Sequence, residues 1–144
     1  MRQFTACTIL CLALLCHGMA CAPQSIISPT LSEHGYTVSL DVSDPLIWLG
    51  LPGPGFPQEA VLVVRVRDAQ RQPVDGVSVK FQVEPSWTYD VSLTPEQGLT
   101  RNGEARTVLS PRTTGVVHVE ARADNVVLHT AITISRRSIP ANSS

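Results

Sequence analysis

From Tyr36 onward the chain alternates apolar and polar residues, starting with Tyr36, Val38, Leu40 and Val42 against Thr37, Ser39, Asp41 and Ser43. Successive side chains of a strand point to opposite faces, so this alternation predicts a half-buried strand with its aliphatic set turned inward. Asp44-Pro45 interrupts it, and Leu46 to Leu49 reads either as a second short strand or as the continuation of the first after a bend. Gly50 to Pro57 is dense in proline and glycine, which removes backbone donors and predicts a loop. Alternation resumes from Ala60 to Asp68, with Leu62, Val64 and Val66 inward and Arg65 and Arg67 outward. After the connection Ala69 to Pro73 and the turn residues Asp75-Gly76, Val77, Val79, Phe81 and Val83 face in while Ser78, Lys80, Gln82 and Glu84 face out. Asp90 to Leu93, Ala105 to Leu109, Val116 to Ala123 and Val126 to Ile134 follow as strands. Asn102-Gly103, Ser110 to Gly115 and Asp124-Asn125 separate these four, the Asn-Gly pair because both residues tolerate positive φ. Helical periodicity is missing throughout this region. Strands recurring about every 8–12 residues between turn signals predict an all-β sandwich or barrel.

The first residues follow a different rule. Phe4 to Cys16 is an apolar run behind the single basic Arg2, and Gly18-Met19-Ala20 supplies small residues before a cleavage point. That is the layout of a secretory signal peptide over 1–20, too short to span a bilayer as a helix. All four cysteines lie at Cys7, Cys11, Cys16 and Cys21, so the exported body has no internal disulfide and must be stabilised by its core. Gly18-Met19-Ala20-Cys21 resembles a bacterial lipoprotein lipobox, with Gly18 standing where the usual pattern has Leu. The resemblance implies lipidation (palmitate among the acyl groups) and membrane anchoring at Cys21. Ordinary cleavage before the same residue is the alternative, and it leads to a secreted chain. Residues 21–35 are rich in Ser, Pro and Thr and read as a polar tether, 36–135 as one folded domain, and 136–144 as a disordered tail.

The folded stretch carries three linked blocks. Val64-Arg65-Val66-Arg67-Asp68 leads through Pro73-Val74-Asp75-Gly76 into Val77-Ser78-Val79-Lys80-Phe81. Thr100-Arg101-Asn102-Gly103-Glu104-Ala105 follows, and then Leu109-Ser110 with Gly115-Val116-Val117-His118-Val119-Glu120-Ala121. In this order they resemble the invasin/intimin-type bacterial immunoglobulin-like domain, with Arg71 standing where that family commonly has Gly. The resemblance implies an immunoglobulin-like Greek-key β-sandwich of about seven strands used as a surface module. The Pro-Val-Asp-Gly block is shared loosely by transthyretin-like envelope sandwiches, which keeps a second fold open. A fold of this kind hosts many roles, so it speaks to architecture before function.

Composition and motifs narrow the function classes. The formal net charge is −1 with no block of like charge, which argues against nucleic acid as a partner. His34, His118 and His129 have no neighbouring His or Cys at metal-ligand spacing, so no metal is expected, and no nucleophile, zinc-protease or phosphate-loop motif occurs. No cofactor and no enzymatic activity are expected. Asp41, Asp44, Asp68, Asp75, Asp90 and Asp124 lie near strand ends, where a weak calcium site is the alternative to ordinary turn chemistry. Trp87 and Tyr89 fall in a connection, and Phe56 in the proline-rich loop. Low-entropy aromatics on loops of a rigid sandwich are candidate binding residues, the alternative being that all three cap the core. The first functional reading is a non-enzymatic envelope lipoprotein whose single module engages an envelope protein or glycan. The second is a carbohydrate- or peptide-binding accessory to an envelope enzyme or transporter.

Overall fold

Alternating side chains become paired strands. The computed structural model describes residues 25–50, 52–84 and 90–137. Its strands are β1 (Ser25–Ile26), β2 (Thr30–Leu31), β3 (Thr37–Val42), β4 (Leu46–Leu49), β5 (Ala60–Arg67), β6 (Ser78–Glu84), β7 (Val91–Thr94), β8 (Gln97–Leu99), β9 (Glu104–Pro111), β10 (Gly115–Ala123) and β11 (Val126–Arg136). No helix occurs among the described residues. One sheet runs β1-β3-β5-β9-β7 with β2 also on β3, and the other runs β4-β11-β10-β6-β8. Apart from β4, which lies parallel to β11, every pairing is antiparallel.

The core is filled by the inward sets read from the sequence. Val38, Leu40, Leu62, Val64 and Val66 from one sheet face Val79, Phe81, Val117, Val119 and Ile132 from the other, all essentially inaccessible. Every expected strand from Tyr36 to Ile134 has its counterpart. Three short strands are additions. Ser25–Ile26 and Thr30–Leu31 pair with β3 within the segment expected as a polar tether, and Gln97–Leu99 pairs with β6. At the other end β11 continues to Arg136, and Arg137 donates its backbone N–H to Leu49 O at 3.1 Å, so the domain extends past the expected boundary at residue 135.

The family-like blocks are hydrogen-bonded to one another. Thr100 Oγ1 donates to Val74 O at 2.7 Å and accepts from Val77 N at 3.0 Å, while Thr100 N donates to Val77 O and Gly76 N to Thr100 O, both at 2.9 Å. Gly103 N donates to Asp75 Oδ1 at 2.8 Å, and Gly103 O accepts from Val66 N at 2.8 Å. The connection from β5 to β6 is thereby fastened to the connection from β8 to β9. Asn102 and Gly103 have φ of 52° and 72°, and Arg101 and Glu104 exchange both backbone bonds, as a tight hairpin turn requires. Asp68 Oδ1 accepts from the N–H groups of Gln70 and Gln72, so this Asp serves its own turn. Arg71, the departure from the family pattern, has φ 64°, a conformation that favours glycine.

Two predictions follow from this packing. A Cβ on Gly103 would meet Pro73 Cβ at 2.7 Å and Val66 O at 2.8 Å, whereas Gly98 has nothing within 4 Å and an ordinary φ. Gly103→Ala should therefore cost about 3–5 kcal/mol in chemical denaturation and Gly98→Ala less than about 0.5 kcal/mol. Thr107 is 1% exposed and its Oγ1 has no hydrogen-bond partner among the described residues. Replacing that hydroxyl by a methyl group in Thr107→Val should raise the unfolding free energy by about 1 kcal/mol, and a loss of stability would show that the hydroxyl has a partner.

Candidate functional site

At one end of the sandwich, β4 lies alongside β11 and delivers Trp48 to the loop that follows. Trp48 N donates to Pro57 O at 2.7 Å, Phe56 N to Gly53 O at 3.1 Å, and Gln58 Nε2 to Gly50 O at 2.8 Å, so this proline-rich connection is fastened at several points. The Phe56 ring packs edge-on against Trp48 with centroids 5.4 Å apart at 82°, and the Arg137 guanidinium sits 4.0 Å from the Phe56 centroid. Both rings are half-buried, and neither belongs to the apolar residues packed on the core. Phe56 thus has a ring and a cation as neighbours on a rigid support, a geometry suited to contact with a partner.

Trp87, Tyr89 and Cys21 lie outside the described residues. The residues that flank the first two do bear on the site. Glu84 lies opposite His118 near the start of β10, and Leu49 lies opposite Arg136 at the end of β11, so Glu84 and Leu49 stand at the same end of the second sheet. Trp48 and Arg137 were not singled out from the sequence. Trp48 stood in a short apolar run whose parity was ambiguous, and Arg137 fell in the expected tail.

At the opposite end, His34, Tyr36, Val77, Ser78, Lys80, Arg122 and Asp124 line an open cleft of about 460 Å³. The rings of His34 and Tyr36 stack with centroids 6.0 Å apart, and protonated His34 Nδ1 donates to Asp124 Oδ2 at 2.7 Å. Beside that contact Glu33 N donates to Asn125 Oδ1 at 2.8 Å, so the segment before β3 is clasped onto the β10–β11 turn. The hydrogen bond with Asp124, and then its charge, raise the His34 pKa. The same hydrogen bond from His34 lowers that of Asp124.

The water-facing side of the second sheet carries a polar cluster. Glu120 lies opposite Gln82 on β6 and His129 on β11, with Glu84 one step along β6. Glu120 is 5% exposed although its strand parity points outward, because these neighbours cover it. Burial opposes its ionisation, but hydrogen bonds with Arg122 and Glu84 and the charges of Arg122 and His129 outweigh that and hold its carboxyl below the ordinary range. On the first sheet, Glu104 accepts from Arg65 Nε at 2.9 Å and Arg106 Nη2 at 2.6 Å, and Arg65 also pairs with Asp41. The Arg106 bond, then the Arg65 bond, lower the Glu104 pKa.

Comparison with known proteins bears on the fold. No protein-family model and no curated protein matches the chain. Among solved structures it is similar to domains 4 and 5 of the S-layer protein SbsC, at 15% identity and a TM-score of 0.53, over 75% of this chain and 54% of that one. It therefore spans about half the length of that two-domain fragment. It is also similar to the D00-D0 domain of intimin, at 19% identity and TM-score 0.45 over 53% of this chain and 38% of that one. A C-terminal fragment of intimin, solved in complex with the intimin-binding domain of the translocated intimin receptor, matches at 18% identity and TM-score 0.43 over 78% and 32%. The chain is an all-β, immunoglobulin-like sandwich, and intimin domains stand among the structures that it resembles. At these identities the likeness concerns the fold.

The His34 clasp predicts a pH profile. A raised imidazole pKa contributes stability that is complete below about 6.5 and is lost as pH rises through the folded value. A lowered carboxyl pKa contributes stability that is present above about 3.9 and is lost as pH falls through the folded value. The difference in melting temperature between the native protein and His34→Ala should therefore be largest near about pH 5–6. It should shrink by about pH 9 and in about 1 M salt, as solvent screening of a surface pair requires.

Proposed function

We propose that this protein is a non-enzymatic module of the bacterial cell envelope, exported by its apolar leader and anchored through a lipid on Cys21. Its immunoglobulin-like domain engages a protein or glycan of the envelope. The contact patch centres on Phe56, with Trp48 and Arg137 beside it, and Trp87 and Tyr89 contribute to it. The observation that carries this reading is the placement of Phe56 and Trp48, two half-buried rings that pack on each other and on Arg137 instead of on the core. Residues that cap a core transmit their loss into the core. These need not.

A second reading, a carbohydrate-binding accessory module, draws on the cleft at the far end, where the stacked His34 and Tyr36 rings stand beside Lys80 and Arg122. Aromatic faces with convergent polar groups are the usual furniture of small-ligand sites. The two readings place binding at opposite ends of the sandwich, so mapping any bound partner by amide chemical-shift change separates them.

Substitution tests the patch. Phe56→Ala should cost about 1 kcal/mol, the scale of one aromatic pair and one cation contact, while weakening partner capture. A core residue such as Phe81→Ala should cost about 3–5 kcal/mol, and exposed Lys80→Ala about 0.5 kcal/mol or less. A loss for Phe56→Ala as large as for Phe81→Ala would make Phe56 structural. Mass spectrometry of the native N-terminal peptide tests the anchor: an acyl mass on Cys21 is expected, and an unmodified Cys21 would reject anchoring while leaving export intact.

A further inference from the structure

Resting on the carbohydrate reading of the far-end cleft, we propose that this cleft takes an anionic saccharide whose carboxylate or phosphate is held by Lys80 and Arg122. The two cations stand directly opposite each other, Lys80 on β6 and Arg122 on β10. Both line the cleft beside the stacked His34 and Tyr36 rings. Like charges directly opposite on neighbouring antiparallel strands are destabilising, so the fold holds together two cations that repel unless an anion lies between them.

The charge of this pair is met on one side only. Arg122 donates from Nε and Nη2 to Glu120 Oε1 at 3.2 and 2.8 Å, and its Nη1 enters no hydrogen bond among the described residues. Lys80 takes part in no ion pair among the described residues. Its neighbours on the same face are Ser78 and Gln82 along β6, Arg122 across on β10 and Gln97 across on β8, none of them acidic. All 12 Asp and Glu residues of the chain lie among the described residues, so no acidic side chain outside them supplies the partner. Asp124, the carboxylate that lines the cleft, is bonded to His34 at 2.7 Å and is thereby occupied.

The rings indicate that more than a bare anion is accommodated. His34 and Tyr36 lie within 22° of parallel, and the His34 side chain is 65% exposed, so an aromatic face is open toward the cleft. Such a face takes the C–H side of a sugar ring, while a carboxylate or phosphate on that ring reaches the cations. Ser78, next to Lys80 on the same face, adds a hydroxyl for a sugar oxygen. A cleft of about 460 Å³ has room for more than one ring. Hydrogen bonds to an ionised group are roughly twice as strong as neutral ones, so the anion decides between an acidic sugar and its neutral counterpart.

The test is calorimetric titration of the purified protein at low salt with trigalacturonic acid, with the neutral trisaccharide galactotriose, and with inorganic phosphate. Trigalacturonic acid should bind. Lys80→Gln should weaken it by about tenfold or more, and Arg106→Gln, which removes a cation from the first sheet, should leave it unchanged. Arg122→Gln would leave buried Glu120 without its guanidinium, so Lys80→Gln, at an exposed position, keeps the test independent of folding. Galactotriose binding as tightly as trigalacturonic acid would overturn the anionic assignment and leave the carbohydrate reading intact. Displacement of the acidic trisaccharide by an equal concentration of inorganic phosphate would overturn the saccharide and that reading with it. Absence of binding at millimolar trigalacturonic acid, or binding indifferent to Lys80→Gln, would overturn the site.

Discussion

Gly103 sits where the two sheets of this sandwich are fastened together. Its N–H is held by the Asp75 carboxylate, its carbonyl by Val66, and its missing side chain is the space that Pro73 occupies. Because β5 leads into Pro73 and β9 leaves from Glu104, one glycine couples the register of the first sheet to the chain that crosses to the second. Thr100 completes the fastening by bonding Val74 and Val77 with a single hydroxyl. The described residues contain no cysteine, so this knot and the aliphatic core stabilise the fold without a cross-link.

The rigid core leaves the outer faces free for other work, and the two faces differ. The first sheet carries a chain of alternating charges, Asp41, Arg65, Glu104 and Arg106, in which each carboxylate has a guanidinium and the exposed pairs contribute little net stability. The second sheet concentrates two glutamates and a histidine around Arg122 and Gln82, with less positive charge and more burial. The ends of the sandwich diverge in the same way, one presenting Trp48 and Phe56, the other His34 clasped to Asp124.

Much of the fold was legible in the sequence because a period of two is a strong signal wherever one face is buried and the other is wet. Val38 to Val42, Leu62 to Val66 and Val117 to Ala123 needed nothing more. Three strands escaped for a physical reason. Ser25–Ile26 and Thr30–Leu31 are too short to show a period, and Gln97–Leu99 has glycine at its centre. The parallel seating of β4 on β11 is a tertiary fact with no local signature. Phe56 was legible as an aromatic on a stiff loop, but its partners Trp48 and Arg137 come from a strand and from the chain's end, and only the fold brings them together. The opposition of Lys80 and Arg122 depends on the register of two strands, which alternation alone does not supply.

Native-state hydrogen exchange tests the knot most directly. If the fastening around Gly103 joins the sheets, the amides of Val66, Val74, Thr100 and Gly103 should open only with the whole domain, at the same free energy as amides of the core strands β5 and β10. Exchange of these amides at an opening free energy well below that of β5 and β10 would show a locally mobile turn, and the account of this domain as one cooperative unit closed by Gly103 would be contradicted.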